Sequence, residues 1–503
     1  MFVVGDALRW NKRRYPHEIA LVDESGSSTW GEVADRCWAL ARGLLEAGVK
    51  PGDPVGVLSG NSRFSAETYL GIVAAGAVAV EYNNLWSSRE LVHGVESTHA
   101  RVVLVEKPHI ESFGAARDVG LSHVETVIHQ GEAYESFLRS GSEPEVAVSP
   151  ADPNVMIFTG GTTGFSKAVV LTHENVLANC MNMIIDTRME HADRTLIIAP
   201  MFHSGSLLCW FLPHVVLGAR SVLLRSFDED AVAEVTASEG VTNGFLVPNM
   251  VRRLLASGNL GGERFATYRR CYVGGATFRM PDKLAVRDAL PATDIYYQYG
   301  LTEAGPIVSR LLPGEMFREE VDGSIGTEFV LTEVSLRGDD GEPVATGDVG
   351  EICVRGPNVM LGYHDRPDAT ADAIQEGWLK TGDMATQSAE GYLFFHDRKK
   401  DMIKSGGENV YSQEVERVLY SHPAVSEAAV IGVVSDEWDE EVRAIVALDE
   451  GASLSERDLR SYCRDYLAAY KIPKRIAFVS RQDIPINPSG KIIKSELRDA
   501  DLW

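Results

Sequence analysis

Val155-Met156-Ile157-Phe158-Thr159-Gly160-Gly161-Thr162-Thr163-Gly164-Phe165-Ser166-Lys167 is the stretch on which the reading of this chain turns. An apolar, strand-like run passes directly into a loop of glycines, hydroxyl side chains and one lysine. Glycine lets a backbone turn tightly and come close to a ligand. Successive N–H groups and threonine hydroxyls are donors for phosphate oxygens, and the lysine adds a point charge. The loop is therefore expected to hold the phosphates of a nucleotide. It is not a Walker A loop, because Lys167 stands three residues after Gly164 and Ala168 occupies the place of the Ser or Thr.

Outward from the loop, Val- and Ile-rich runs alternate with amphipathic segments. Runs such as Pro54–Leu58, Val102–Val105, Thr195–Ile198 and Ser221–Leu224 read as strands, and Trp30–Ala47 and Asp228–Glu239 as helices between them. That alternation predicts α/β layers with mostly parallel sheets covered on both faces. Leu70–Val80 is too short and too glycine-interrupted to span a bilayer, and reads as a buried helix running into a strand. From about Gly323 to His396 the texture changes to short strand-like pieces punctuated by Gly, Pro and Asp, a β-rich lobe. Beyond the charged junction Asp397-Arg398-Lys399-Lys400-Asp401 a small α+β unit is expected, with a helix capped by Ser412, strands at Ala428–Val434 and Val442–Ala447, and a helix over Ser455–Leu467. The expected division is a large domain over 1–399 and a small one over 400–503.

At 503 residues the chain exceeds one ordinary core. Its 72 acidic against 48 basic residues give a formal net charge of −24, which argues against general affinity for nucleic acid or anionic membrane. An anionic ligand would need a local basic pocket. The cysteines Cys37, Cys180, Cys209, Cys271, Cys353 and Cys463 are scattered without C-x-x-C or zinc spacing, and read as reduced, mostly buried thiols of a cytoplasmic protein. Phe2-Val3-Val4 is too short for a signal-peptide core.

Four further motifs follow the loop in order. Tyr299-Gly300-Leu301-Thr302-Glu303 offers an aromatic face for a purine, a hydroxyl for a phosphate and a carboxylate for Mg²⁺. Thr381-Gly382-Asp383 offers a carboxylate for ribose hydroxyls. The junction around Arg398 and the segment Pro488-Ser489-Gly490-Lys491 complete the set. Singly each is weak, since an Asp after Thr-Gly is ordinarily a turn residue and a Lys after Gly ordinarily solvated. In this order, across nearly the whole chain, they resemble the acyl-adenylate-forming superfamily of acyl-CoA synthetases, peptide-synthetase adenylation domains and beetle luciferases.

The resemblance implies ATP, Mg²⁺ and coenzyme A as cofactors and a small-molecule carboxylic acid as substrate. It assigns Thr159, Gly160, Gly161, Thr162, Thr163, Gly164 and Lys167 to the β- and γ-phosphates, and Gly274, Gly275, Ala276 and Thr277 to the adenine and acyl side. Gln298, Tyr299 and Gly300 border the adenine, with Tyr299 stacked on it, while Thr302 meets the α-phosphate and Glu303 the metal. Asp383 and Arg398 take the ribose, and Lys491 is the catalytic lysine of adenylation. Lys400 is the hinge of a mobile small domain, Gly406 and Gly407 join the pantetheine tunnel, and Trp438, Tyr470 and Lys474 align with coenzyme A contacts.

Several positions depart from the common pattern: Gly160 for Ser or Thr, Ser166 for Pro, Ala168 for Gly, Glu81 for a Pro, and Asp439 where glycine often follows Trp438. His203 is compatible with a satisfied core histidine, but in acyl- and aryl-CoA ligases a histidine here flanks the substrate carboxylate, where amino-acid-activating domains carry aspartate. Gln298 stands where glycine is frequent in long-chain relatives, so a short, cyclic, aromatic or partly polar acid is expected over a long-chain one, with Tyr297 closing the pocket further. An acid–CoA ligase leads. An adenylating enzyme that loads a carrier protein shares every motif, while a luciferase-like oxygenase and a decayed scaffold rank below both. A homodimer stays open.

Overall fold

The computed structural model describes residues 2–159, 166–405, 408–435, 438–486, 492–500 and 502. The chain divides into two compact units, residues 1–334 with 354–379, and residues 335–353 with 380–503. Lys400 lies within the second.

The first unit carries two sheets. In one, the strands run in the order Gly362–Tyr363, Lys167–Thr172, Pro153–Thr159, Val78–Glu81, Pro54–Leu58, Val102–Val105 and Thr126–His129. The five from Pro153–Thr159 onward are parallel, and the two at the other edge are antiparallel additions. In the other sheet a parallel run, Asp294–Gly300, Arg270–Gly274, Asn243–Leu246, Arg194–Ile197, Arg220–Leu223 and Ile19–Asp23, is flanked by antiparallel strands Ile307–Leu311 and Gly26–Thr29. Of the strand runs expected from the sequence, Pro54–Leu58 and Val102–Val105 are observed as such, and Thr195–Ile198 and Ser221–Leu224 are observed one residue earlier. Leu70–Val80 forms the end of helix Arg63–Ala74, buried on nearly every side, and strand Val78–Glu81. Helix Trp30–Glu46 opens on a reciprocal cap, Thr29 Oγ1 accepting from the Glu32 N–H and the Glu32 carboxylate from the Thr29 N–H, which satisfies two orphan donors of the first turn.

Strand Val78–Glu81 turns Val78 and Val80 into an apolar cluster with Leu91, Val95, Val103 and Phe113. Period-2 alternation sends Glu81 to the opposite face. It is 3% exposed, its Oε1 has no hydrogen-bond partner among the described residues, and burial pushes its pKa up to about 8.

In the second unit, strands Val425–Ser435 and Asp439–Leu448 pair antiparallel over their full lengths, with Arg475–Phe478 parallel to the latter. One face packs Ala428, Val430, Ala444 and Val446 under helices Ser412–Ser421 and Glu456–Arg464. The other packs Ala429, Ile431, Ile445 and Ala447 against Ile484 and Leu497. Ser412 begins its helix instead of capping it: Tyr411 holds the cap position, the Ser412 N–H donates to Asp397 Oδ2 at 2.5 Å, and its hydroxyl meets Lys494. The hydroxyl is therefore spent on a tertiary contact. All six cysteines are buried and unbridged. Among the described residues no helix is long and apolar enough to cross a membrane.

The folded protein keeps Glu81 protonated up to about pH 8, whereas the unfolded chain loses that proton near pH 4.5, so stability falls as pH rises between the two. Glu81→Gln is expected to flatten that slope and to exceed wild type by a few kcal/mol above pH 8. Urea unfolding of both proteins at pH 5.5 and 8.5 measures it, and parallel curves would show that Glu81 is not the group responsible.

Candidate active site

The carboxyl ends of the parallel strands in the second-described sheet bring His203, Gly274–Thr277 and Gln298–Glu303 to one edge, the place where open α/β sheets bind ligands. Register sets them side by side: Gly274 is opposite Gln298, and Val273 opposite Tyr297. A Cβ on Gly274 would lie 2.7 Å from the Gln298 carbonyl, so only glycine permits this spacing. Gly275, Ala276 and Thr277 leave the strand exposed, and the Tyr297 hydroxyl donates to the Ala276 carbonyl at 3.2 Å. Strand alternation separates Tyr297 and half-buried Tyr299 from Gln298, which turns toward helix His173–Asp186. There Gln298 is 4% exposed, its Nε2 sits 3.8 Å from Met183 Sδ, and its Oε1 has no partner among the described residues.

Gly300 to Pro306 is a tightly closed turn. A Cβ on Gly300 would fall 1.9 Å from the Pro306 carbonyl oxygen, and one on Gly305, at φ 81°, 2.1 Å from that of Asn358. Buried Asn358 donates its amide to the Ala304 and Ile307 carbonyls, and the Met360 N–H donates to the Glu303 carbonyl. Asn179, also buried, accepts from the Ile307 N–H. These bonds fix the single 3₁₀ turn Thr302–Ala304 on which Thr302 and Glu303 stand.

Three elements then meet at that turn. The Ser204 and Thr302 hydroxyls are 2.7 Å apart. Ser204 follows half-buried His203, whose ring lies 4.4 Å from that of Phe202, on the segment leaving strand Arg194–Ile197. Asn61 holds that segment, donating to the Ile198 and Ala199 carbonyls and accepting from the Met201 N–H. A π-helical stretch, Gly205–Phe211, follows at once, a distortion that recurs beside functional sites. On the other side, the Tyr363 hydroxyl donates to Glu303 Oε1 at 2.9 Å, and Lys167 Nζ sits 4.1 Å over the Tyr363 ring. Thr159 pairs with Lys167 across the antiparallel strands that flank the glycine loop. Burial and the Glu303 carboxylate push the Tyr363 phenol above its usual range, so it stays a neutral donor. Gly160, Gly161, Thr162, Thr163 and Gly164 lie outside the described residues, as do Gly406, Gly407 and Lys491.

In the second unit Asp383 faces Arg398 across paired strands, Arg398 Nε 3.7 Å from Asp383 Oδ1. Gly382, at φ 74° within strand Trp378–Gln387, precedes Asp383, and its N–H donates to buried Glu351, which also meets Lys399 Nζ at 3.2 Å. Lys474 Nζ stands 4.2 Å over the Trp438 ring, while Tyr470 packs against the domain core. Asp439, next to Trp438, holds φ 61°, left-handed backbone that glycine adopts more readily than aspartate.

Ser204, Tyr363, Asn358 and Glu351 are the residues that motif reading missed. Tyr363 stands 60 residues from Glu303 and Ser204 98 from Thr302, and no local spacing signals either contact.

Comparisons with known proteins show the family. The family described as AMP-binding enzyme matches residues 8–364, and its C-terminal domain residues 414–491. A feruloyl-CoA synthase of Amycolatopsis sp is 37% identical over 97% of this chain and 96% of its own length. A fatty acid–[acyl-carrier-protein] ligase of Streptomyces coeruleorubidus is 32% identical over 96% and 93%. The structure of O-succinylbenzoate coenzyme A synthetase from Bacillus subtilis, in complex with ATP and magnesium, superposes with a TM-score of 0.86 at 29% identity over 98% of this chain and 99% of that one.

Tyr363→Phe keeps the ring beneath Lys167 and removes the donor to Glu303. It is expected to slow pyrophosphate release about tenfold, the worth of one hydrogen bond to a charged group, and Tyr363→Ala to slow it further. Equal rates in the two variants would mean that the ring does not matter. The chain belongs to the AMP-binding enzyme family, in its acyl-CoA synthetase branch.

Proposed function

We propose that this chain joins a small aromatic acid bearing a hydroxyl group to coenzyme A, using ATP. The observation that carries the chemistry is the convergence of Ser204, Lys167 and Tyr363 on the Thr302–Glu303 turn. A substrate carboxylate oxygen attacks the α-phosphorus of ATP, and the bond to pyrophosphate breaks. The thiol sulfur of coenzyme A then attacks the acyl carbonyl and AMP leaves. Both anions of the first step need cations and donors fixed in advance.

The donor set at the turn is all oxygen, a carboxylate and hydroxyls, which fits Mg²⁺. Bound there, Mg²⁺ would supply charge neutralisation on the phosphates. Thr302 donates to the α-phosphate, with Ser204 setting its hydroxyl. Tyr363 orients the Glu303 carboxylate. Lys167 and the glycine loop hold the leaving phosphates, and His203 flanks the substrate carboxylate. Tyr299 stacks on adenine, Asp383 and Arg398 bind the ribose, and Lys491 bridges carboxylate and α-phosphate. After adenylation the small domain pivots at Lys400, and Gly406, Gly407, Trp438, Tyr470 and Lys474 receive coenzyme A.

Gln298 supports the choice of acid. Its buried Oε1 is an acceptor with no donor among the described residues, and a buried polar group of this kind calls for one. A hydroxyl on the substrate ring supplies it, and the side chain shortens the pocket against long acyl chains. The feruloyl-CoA synthase relative is consistent with this. Loading of a carrier protein is the second reading, and the carrier-protein ligase relative keeps it in view.

Pyrophosphate release with Mg·ATP across acetate, hexanoate, benzoate, hydroxycinnamates and palmitate, with and without coenzyme A, tests the proposal. Turnover is expected to need coenzyme A and to favour hydroxylated aryl acids. Gln298→Leu should reduce the preference for hydroxylated over unsubstituted ring acids about three- to tenfold, the worth of one neutral hydrogen bond. A palmitate preference in the wild type would overturn the substrate assignment, and adenylate not discharged by coenzyme A would favour the carrier reading.

The two half-reactions separate the roles of two lysines. Lys491→Ala should lower adenylation by about 10²–10³ and spare thioester formation from supplied acyl-AMP, while Lys400→Pro should do the reverse. Equal loss of both half-reactions in either variant would remove that residue's assignment.

A further inference from the structure

Outside the catalytic edge, three potential metal donors come together on the surface of the first unit. His99 Nε2 lies 3.1 Å from Asp365 Oδ2, and His364 Nε2 lies 3.7 Å from the same oxygen. Each of the three residues offers one ligand atom, and these atoms all lie within 4.8 Å of one another. His99 ends helix Ser88–Thr98 and Asp365 follows strand Gly362–Tyr363, a separation of 266 residues in sequence. Both hold left-handed backbone, φ 54° and 50°. The His99 ring packs edge-on against His123 at 5.1 Å and against His364 at 6.2 Å, and His123 Nδ1 is 2.6 Å from Glu96.

We propose that His99, His364 and Asp365 form a binding site for a zinc-class divalent cation that clips this helix to the edge strand. Two imidazoles and one carboxylate suit a borderline metal such as Zn²⁺ or Co²⁺, whereas Mg²⁺ keeps to oxygen ligands. Zinc takes nitrogen and carboxylate oxygen at about 2.0–2.2 Å, which puts its ligand atoms about 3.3–3.6 Å apart in a tetrahedral site. The His99–Asp365 and His364–Asp365 separations, 3.1 and 3.7 Å, lie on either side of that spacing, and rotation of the exposed His99 and Asp365 side chains brings the three atoms to it. Those side chains are 54% and 65% exposed, which leaves the remaining coordination positions to solvent.

The position gives the clip a consequence. Gly362–Tyr363 is a two-residue edge strand, held to the sheet through Val169 and Val170 and by the Leu361 and His364 N–H groups, which donate to the Val170 and Ala168 carbonyls. Tyr363 is the donor to Glu303 and the ring beneath Lys167. A cation bound by the residues that follow Tyr363 braces this strand from outside the catalytic edge, and closing so long a chain segment restrains its opening.

The test is titration of the full-length protein with Co²⁺, read by visible ligand-field absorption, and with Zn²⁺, read by calorimetry. Wild type is expected to take up about one equivalent, and His99→Asn with His364→Gln to weaken that binding by about 100-fold. Asparagine tolerates the left-handed backbone, so the double variant keeps the local fold. Saturating Zn²⁺ should slow amide exchange at Leu361 and His364 about tenfold in wild type and leave it unchanged in the double variant. No equivalent in wild type, undiminished binding in the double variant, or unchanged exchange in the loaded wild-type protein would each overturn the proposal.

Discussion

The turn from Gly300 to Pro306 is the constraint on which the catalytic edge depends. Backbone carbonyls crowd both glycines so closely that no Cβ fits, and Asn358 and Asn179 take up polar groups that the closed turn leaves inside. A buried backbone group without a partner costs about 1–3 kcal/mol, so the two asparagines keep the turn affordable as well as fixed. Thr302 and Glu303 thus stand on a rigid single turn instead of a mobile loop, which is what preorganised donors require.

Around that turn, charge is handled by short-range neutral contacts. The chain is strongly acidic overall, yet the Lys167 ammonium rests on an aromatic face and the Glu303 carboxylate accepts from a phenol that burial keeps protonated. Neither group is neutralised by an ion pair in these contacts. Both are thereby held in place by uncharged partners, the aromatic face under Lys167 and the phenol on Glu303.

The second unit uses the opposite device. Lys494, largely covered, pairs with Glu416 at 2.8 Å and meets Ser412, whose N–H donates to Asp397. Burial alone would lower the lysine's pKa, but Glu416 and Asp397 outweigh it and hold the ammonium charged. Arg498 reaches Asp401 at 3.0 Å. The terminal helix Lys494–Asp499 is in this way fastened to the charged junction that follows Asp397. These pairs tie the junction and the terminus together, so each holds the other in position.

Much of this protein was legible before any coordinates. Val- and Ile-rich runs mark the strands because a strand buried on both faces must be apolar at successive positions. The glycine loop, Tyr299–Glu303 and Asp383 stand out in the sequence because the phosphate, metal and ribose binding proposed for them needs particular side chains within a few consecutive residues. The sequence leads one to expect Gln298 beside an acyl pocket, whereas its turn toward Met183 and its oxygen, without a partner among the described residues, emerge only from strand alternation within the packed sheet. Ser412 looked like a helix cap, and a tertiary bond to Asp397 moved the cap to Tyr411. Tyr363, Ser204 and Asn358 carry no local signature, since each acts on a residue dozens of positions away. The sequence by itself determined the layered α/β class and the residue types of the chemistry, because both depend on short-range pattern. Tertiary structure alone decided which side chains orient that chemistry, because register and strand order set contacts between distant segments.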